Sequence, residues 1–421
     1  MKRSLSILIL SILCLPVYAN AARLYTTGFE WQSVTAGHEI LAANTSPTID
    51  TTTKHSGAVS VEMSGTISAG TVEDVNYTYT SETQAYARWY IYVTQQTNDP
   101  AVAIFMDSYS AGTNVVSIQL TGCNGTTCDG ITYYNNFGGT LTGGWTITED
   151  AWHYVEMYYD STPANGSEIL TVRVDGSVVD TSSALTFTLK TIDNTEYGIY
   201  NGTAGNITDT TVNFDDVAIN DTGGTAQISY PGVGNIVALV PNAAGGSACS
   251  NSAAFGAVNE VPPSDTATDN TNRCDLDTTT SLAMYNVTDT ATAGIDSYDD
   301  ITLITVMARI REEAAGTSNW FPRIDSSGTA TTSGSSVDAG DATARTNPNS
   351  TTAFTNMLIS YTDPNTSAAW EPSAIDEMEL GAGTTDGTPD VWMLTLAGMI
   401  EYTDGEAPAA GTAPPQDLII Y

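Results

Sequence analysis

Three observations predict an all-β chain of two β-sandwich domains in tandem, with one short helix near residues 372–378. Apolar and polar side chains alternate with period two along the apolar segments, and helical periodicity is nearly absent. The composition is rich in Thr, Gly, Ser, Asn and Asp and poor in the Lys and Glu that fill helices. At 421 residues the chain exceeds what one hydrophobic core covers, so two domains are expected.

Residues 1–21 read as an export signal. Lys2 and Arg3 supply a positive start, residues 5–15 an apolar stretch, and Ala19-Asn20-Ala21 a small-residue cleavage site before Ala22. The apolar run is too short to cross a bilayer, and no later stretch approaches the ~20 apolar residues that crossing needs, so membrane insertion is not expected. Cys14 follows Leu13, where a lipidation site wants a small residue, so cleavage near Ala21 and release to an extracellular or periplasmic space is the expectation.

The first domain then spans 22–220. In residues 85–93, Ala85, Ala87, Trp89, Ile91 and Val93 share one face, and Tyr86, Arg88, Tyr90 and Tyr92 share the other. Residues 152–160 behave alike, with Val155, Met157 and Tyr159 opposite Tyr154, Glu156 and Tyr158. Leu170, Val172 and Val174 alternate with Thr171, Arg173 and Asp175, and Asp175-Gly176 makes a turn into Val178. Residues 214–219 read as a closing strand, and the polar stretch 221–227 as a linker.

The second domain, 228–403, has strands expected near 236–240, 301–311, 357–361 and 391–402. Residues 325–351 are small and polar and read as a long exposed loop. The helix is placed at 372–378 because Pro372 suits a first helical position, where its missing N–H costs nothing. Residues 404–421 form a Pro/Ala/Gly-rich tail ending in an apolar, β-prone strand, expected to pack on its own domain because an open edge invites aggregation.

Twelve Lys+Arg stand against 48 Asp+Glu, a formal net charge of −36. That field repels nucleic acid and anionic membrane surfaces, so both are excluded as expected partners, and it favours hard cations where carboxylates converge. Four cysteines follow the signal: Cys123, Cys128, Cys249 and Cys274. They allow three connectivities; pairing by sequence neighbourhood puts one bridge in each domain, worth about 2 and 3.5 kcal/mol by loop-closure arithmetic. Free thiols are not expected in an exported protein.

Several segments of the first domain resemble the laminin-G/concanavalin A-like jelly roll. They are Tyr25-Thr26-Thr27-Gly28-Phe29-Glu30, His55-Ser56-Gly57-Ala58-Val59, the 86–93 strand, the 152–160 strand, the 170–176 hairpin and Phe214-Asp215-Asp216-Val217. The resemblance implies two curved antiparallel sheets, in a family whose members bind glycans, bind proteins or are structural. Over 228–402 the chain is similar to a module of tailed-bacteriophage virion structural proteins. The residues carrying this include Val237-Ala238-Leu239-Val240-Pro241-Asn242, Val258-Asn259-Glu260, Asp363-Pro364 with Trp370, and Ile375-Asp376-Glu377-Met378. An export signal and paired cysteines depart from that resemblance and weaken it for the virion role more than for the fold.

Catalytic signals are sparse, and no enzyme is expected. Asp376-Glu377-Met378-Glu379 has the wrong spacing for the paired carboxylates of a glucanase strand and reads as a solvated turn. His38, His55 and His153 lack metal-ligand partners at helical spacing, and no Gly-x-Ser-x-Gly elbow occurs. Calcium is the one cofactor expected, since Glu73-Asp74, Asp215-Asp216, Asp265/Asp269 and Asp275/Asp277 are dense in carboxylate. Asp215 and Asp216 are the first choice, because they sit in a strand where one carboxylate must point inward, to meet either Ca²⁺ or an Arg such as Arg88. For ligand binding the candidate surface is the polar-aromatic stripe Tyr86, Arg88, Tyr90, Tyr92, Tyr154, Glu156 and Tyr158, whose rings stack on sugar C–H faces while Arg and Glu bond hydroxyls.

The leading expectation is a secreted, non-enzymatic, lectin-like binding or structural protein that recognises a carbohydrate or a protein surface. The alternative is a phage-derived virion or extracellular appendage component that self-assembles and takes no small ligand. A degenerate polysaccharide-active enzyme comes third.

Overall fold

The computed structural model describes residues 23–405 apart from 36–37, 40–41, 45–46, 65–66, 96–101, 142, 202–209, 225, 247–248, 250–257, 260–261, 264–272, 277–281, 313–319, 327–335, 339–353 and 385–390. The expected export signal, most of the 325–351 loop, the tail beyond 405, and Asp265, Asp269 and Asp277 lie outside the described residues.

Period-two alternation produces the expected all-β architecture. The first domain has two eight-stranded antiparallel sheets. One sheet runs in the order Ser177–Leu185, Glu168–Val174, Trp152–Asp160, Gln84–Gln95, Thr210–Asn220, Ser60–Met63, Thr48–Asp50, with Arg23–Thr27 also paired to Thr210–Asn220. The other runs Gly139–Thr140, Thr127–Tyr134, Thr113–Thr121, Val102–Ser110, Ile192–Asn201, Val72–Glu82, Ala42–Asn44, with Trp145–Thr148 on Thr127–Tyr134. Ala85, Ala87, Trp89, Ile91 and Val93 point between the sheets to meet Met106, Ile118, Val155, Met157 and Tyr197 in one core.

The second domain has two five-stranded sheets around a core of its own that includes Val237, Leu239, Val306, Leu380 and Ile400. Its first sheet is ordered Asn235–Leu239, Val391–Thr403, Asp300–Glu312, Phe354–Ser360, with Cys274–Leu276 on Val391–Thr403. The expected helix occupies Pro372–Asp376, with Pro372 in its first turn. A second short helix, Thr290–Ala293, was not expected from the sequence. It closes on Gly294, in the left-handed conformation at φ 84°, and its first residue is held by Asp376 Oδ1, which accepts both Thr290 N–H and Oγ1–H. That carboxylate comes from the other helix, so local sequence could not announce it.

Both neighbour-paired disulfides form, Cys123–Cys128 and Cys249–Cys274. The second closes a 25-residue separation, and replacing both its cysteines by Ser is expected to lower stability by about 3.5 kcal/mol. Urea unfolding of the variant against the oxidised wild type checks this; an unchanged midpoint would sink it.

The sheet containing Gln84–Gln95 faces the second domain, and we call it the contact sheet; the other is the free sheet. Trp31 leaves the first domain and is wholly buried among Ile236, Met307, Ala397 and Met399 of the second. Glu401 accepts a charge-assisted bond from Arg23 Nη1 and another from Arg88 Nη1 at 2.9 Å, so a buried Arg–Glu–Arg triad spans the junction. Burial alone would raise the Glu401 carboxyl, but the two guanidiniums hold it below the ordinary range. Gly28 allows the backbones to meet, since a Cβ there would stand 2.8 Å from Ile236 O.

Candidate functional site

The stripe read from the sequence as a ligand surface lies on the contact sheet, and the structure corrects that reading for three of its members. Arg88, Tyr90 and Glu156 are buried beneath residues 232–234, which connect the two domains. Arg88 Nη1 donates to Gly232 O at 3.1 Å, Gly232 N–H donates to Glu156 Oε1 at 2.7 Å, and Gly234 N–H donates to Tyr90 OH at 3.3 Å. Tyr86 stacks on Tyr158 with centroids 4.4 Å apart, and Tyr230 closes edge-on over Tyr86, capped by Arg173 at 3.6 Å. Tyr86, Tyr90 and Tyr158 thus seat the 230–234 segment. Tyr92 and Tyr154 remain half-buried beside Trp152 and Tyr90 respectively.

Asp215 and Asp216 are both wholly buried, with a bulge in the strand and Asp216 at φ 45°. Asp215 Oδ2 accepts His55 N–H at 2.8 Å and Ser56 N–H at 3.3 Å, and Oδ1 accepts Asp216 N–H at 2.8 Å. Asp216 takes His55 Nδ1 at 2.6 Å, Ser56 Oγ at 2.8 Å and Ile236 N–H at 3.0 Å. Protein donors therefore meet all four oxygens. The alternative pairing with Arg88 is realised through the Asp216 carbonyl, which accepts Arg88 Nε at 3.1 Å, and not through its carboxylate. Glu30 and Glu39 are buried close by. Burial first, then Glu39 and Asp216, pushes Glu30 upward; burial also raises Glu39 to about 7, and burial together with Asp216 raises Asp215. Asp275, from the fourth cluster, pairs with Arg273 at 2.8 Å. Among the described residues no three of these carboxylates converge at metal-ligand spacing.

The free sheet carries a face that the sequence reading did not single out. Its inward residues, Val75, Met106, Ile118 and Tyr197, fill the core, so their neighbours along each strand point away from it. Strand register lines Tyr133, Ser117, Asp107, Glu196 and Asn76 across five strands. The adjoining row holds Asn114, Tyr109 and Asn194. Asp107, Ser117 and Asn114 are buried and form the floor; Tyr109, Tyr133, Glu196 and Asn194 are half-buried. Tyr109 OH donates to Asp107 Oδ2 at 3.2 Å, while Asp107 Oδ1 is buried with no hydrogen bond of good geometry. Beside Asn114 a cavity of about 220 Å³ opens between Asn135, Asn136 and Thr188. The signal that could have found this face is the same alternation: Asp74-x-Asn76, Asp107-x-Tyr109, Ser117-x-Gln119 and Asn194-x-Glu196 are polar positions on strands that neighbour one another in the sheet.

Asp107 and Glu196 stand directly opposite each other, an arrangement that disfavours two charges. Burial first, and then Glu196, raises Asp107 to about 7 against the pull of Ser117, Tyr109 and Asn114. Burial followed by Asp74 raises Glu196. A raised carboxyl keeps in the folded state a proton that the unfolded chain releases. Its stabilising contribution is whole below the unfolded value near ~4 and is lost as pH rises toward 7. Asp107→Asn is therefore expected to raise the melting temperature over wild type at pH 8 and not at pH 4. An equal gain at both pH values in a thermal melt would contradict it.

No family model and no curated protein matches this chain. The laminin-G and virion resemblances thus have no family match behind them. Among solved structures, alginate lyase Aly36B is 12% identical over 48% of this chain and 97% of that one, at a TM-score of 0.35. Cellulose induced protein Cip1 is 16% identical over 45% of this chain and 88% of that one, at 0.33. The binding domain of botulinum neurotoxin DC is 10% identical over 47% of each chain, at 0.32. At these values the chain is weakly similar to β-rich domains of lyase and binding proteins, and no function carries over from them.

Proposed function

We propose that the protein is an exported, non-enzymatic binding protein whose first domain holds a neutral, hydroxyl-rich carbohydrate on the free sheet. The observation that supports this reading is the row Tyr133, Ser117, Asp107, Glu196, Asn76, with Tyr109 and Asn114 in the adjoining row and the cavity beside Asn114. Carboxylate and amide oxygens accept sugar hydroxyls, amide N–H groups donate to them, and the two tyrosine rings offer faces to C–H surfaces. The net charge of −36 favours a neutral ligand over a polyanion at this acidic face. Two disulfides fit an oxidising, extracellular or periplasmic setting. The second domain, locked to the contact sheet, acts as a spacer or assembly module.

A glycan panel probed with the purified protein tests this. Tyr109→Ala is expected to weaken every positive by about two- to tenfold, since aromatic stacking is worth about 0.5–1.5 kcal/mol, whereas Tyr92→Ala on the contact sheet leaves them unchanged. Positives indifferent to Tyr109→Ala would overturn the site. A panel without positives, together with rings or fibres in negative stain, would replace the reading by that of an appendage or virion component.

One observation favours a second reading. Asp107 and Glu196 form a facing carboxyl pair of the kind that glycoside hydrolysis uses. Release of reducing sugar by the wild type, abolished in Asp107→Asn, would make the protein a polysaccharide-active enzyme. Calcium enters as a ligand of the acidic surface and not of the Asp215–Asp216 pair, whose oxygens protein donors already meet. A melting temperature that falls on chelation and recovers with Ca²⁺ supports it, and an unchanged one removes it.

A further inference from the structure

On the first sheet of the second domain, one face is shared between the domain junction and a separate cationic patch. Met307, Arg309 and Arg311 alternate with the core residues Val306, Ala308 and Ile310 along Asp300–Glu312. Met307 belongs to the junction, whereas Arg311 lies beyond it, directly opposite Trp392. Trp392 and Leu394 form a small apolar cluster apart from both the core and the junction. The Arg273 guanidinium lies 3.5 Å from the Trp392 ring centroid and that of Arg311 4.7 Å from it.

The two cations differ in their commitments. Arg273 is bonded to Asp275 at 2.8 Å. The Arg311 side chain makes no ion pair and no hydrogen bond among the described residues, and its Nε is buried with no acceptor. In a chain with four acidic residues for each basic one, an Arg on a strand would be expected to find a carboxylate. This one is held against an indole instead, its fork oriented and its charge unmatched among the described residues.

We propose that Arg311, oriented by Trp392 and flanked by Arg273, is a recognition site for a single ionised carboxylate carried on an otherwise neutral, sugar-like body: a sugar acid. A guanidinium takes a carboxylate through two parallel hydrogen bonds, here from the two Nη groups and not from the buried Nε, and the carboxylate supplies the missing charge. The surrounding acidic surface disfavours a run of negative charges, such as an acidic peptide, more than one isolated carboxylate. The site lies in the other domain from the neutral-glycan face and does not depend on it.

Isothermal titration of the purified protein with glucuronate, with glucose as the neutral control and with a Glu-rich peptide as the competing class, tests the assignment. Saturable glucuronate binding is expected, weakened by salt, at least tenfold weaker in Arg311→Gln, partly restored in Arg311→Lys, and untouched by Tyr109→Ala. Equal binding of glucose, or equal affinity of Arg311→Gln, overturns the site. An Arg311-dependent peptide that binds more tightly than glucuronate overturns the sugar-acid assignment. Should Arg311→Gln fail to fold, the wild type still decides. The indole N–H resonance of Trp392, identified by its loss in Trp392→Phe, shifts with glucuronate and not with glucose, and no shift overturns the proposal.

Discussion

Glu401→Ala is expected to destabilise the protein by about 3–5 kcal/mol, because it leaves two guanidiniums buried without a counter-charge. Glu401, Arg23 and Arg88 are each almost wholly inaccessible. The remaining partners cannot take over: Arg23 Nε is engaged by Asn220 Oδ1 at 2.6 Å, and Arg88 Nε by the Asp216 carbonyl. Both Nη2 atoms are already buried without acceptors, so removing the carboxylate adds to an existing deficit. The pH dependence follows from the lowered Glu401 carboxyl. Its stabilisation is whole above the unfolded value near ~4.3 and is lost as pH falls through the folded value, so wild type and Glu401→Ala converge in acid. Urea unfolding at pH 7 and pH 3 measures both effects; a loss below ~1 kcal/mol at pH 7 would show the triad to be solvated. Replacing all three residues together by apolar side chains is expected to cost far less than the single change.

Trp31→Ala is expected to cost about 3–5 kcal/mol as well, and to do so at the same junction. The indole is wholly buried, and it packs on Ile236, Met307, Ala397 and Met399 of a domain whose own core does not include it. Its removal opens a cavity between two bodies that each retain a complete core. The expected signature in calorimetry is a single transition in wild type splitting into two, one per domain. A uniform downward shift with one transition would mean that Trp31 serves the first domain's core and not the junction. Combined with Glu401→Ala, the loss should fall short of the sum, since either change alone releases the same contact.

Much of the fold was legible because a strand with period two declares which side chains go inward. Ala85, Trp89 and Ile91 could only be core, and their burial follows. The four strands expected in the second domain came within a few residues for the same reason, while its other strands were not singled out, and the single-turn helix at Thr290–Ala293 was missed because its stabilising carboxylate, Asp376, is remote in sequence. The candidate site was far less legible. Tyr86, Arg88 and Tyr90 were correctly placed on one outward face, yet alternation says only that a side chain leaves its own core. It does not say whether that side chain meets solvent, ligand or another domain.

The sequence by itself determined the sheet-forming pattern and the identity of the inward faces, because each depends on spacings of a few residues; the cysteine pairing, open to three connectivities in the sequence, was decided by the fold. Only the tertiary structure decided what the outward faces do. Arg88 meets Glu401 across 313 residues of chain, and Asp107 meets Glu196 through strand register. Both partnerships arise from how sheets stack and strands align, and the energy that selects them is shared over whole faces, so no local stretch of residues encodes it.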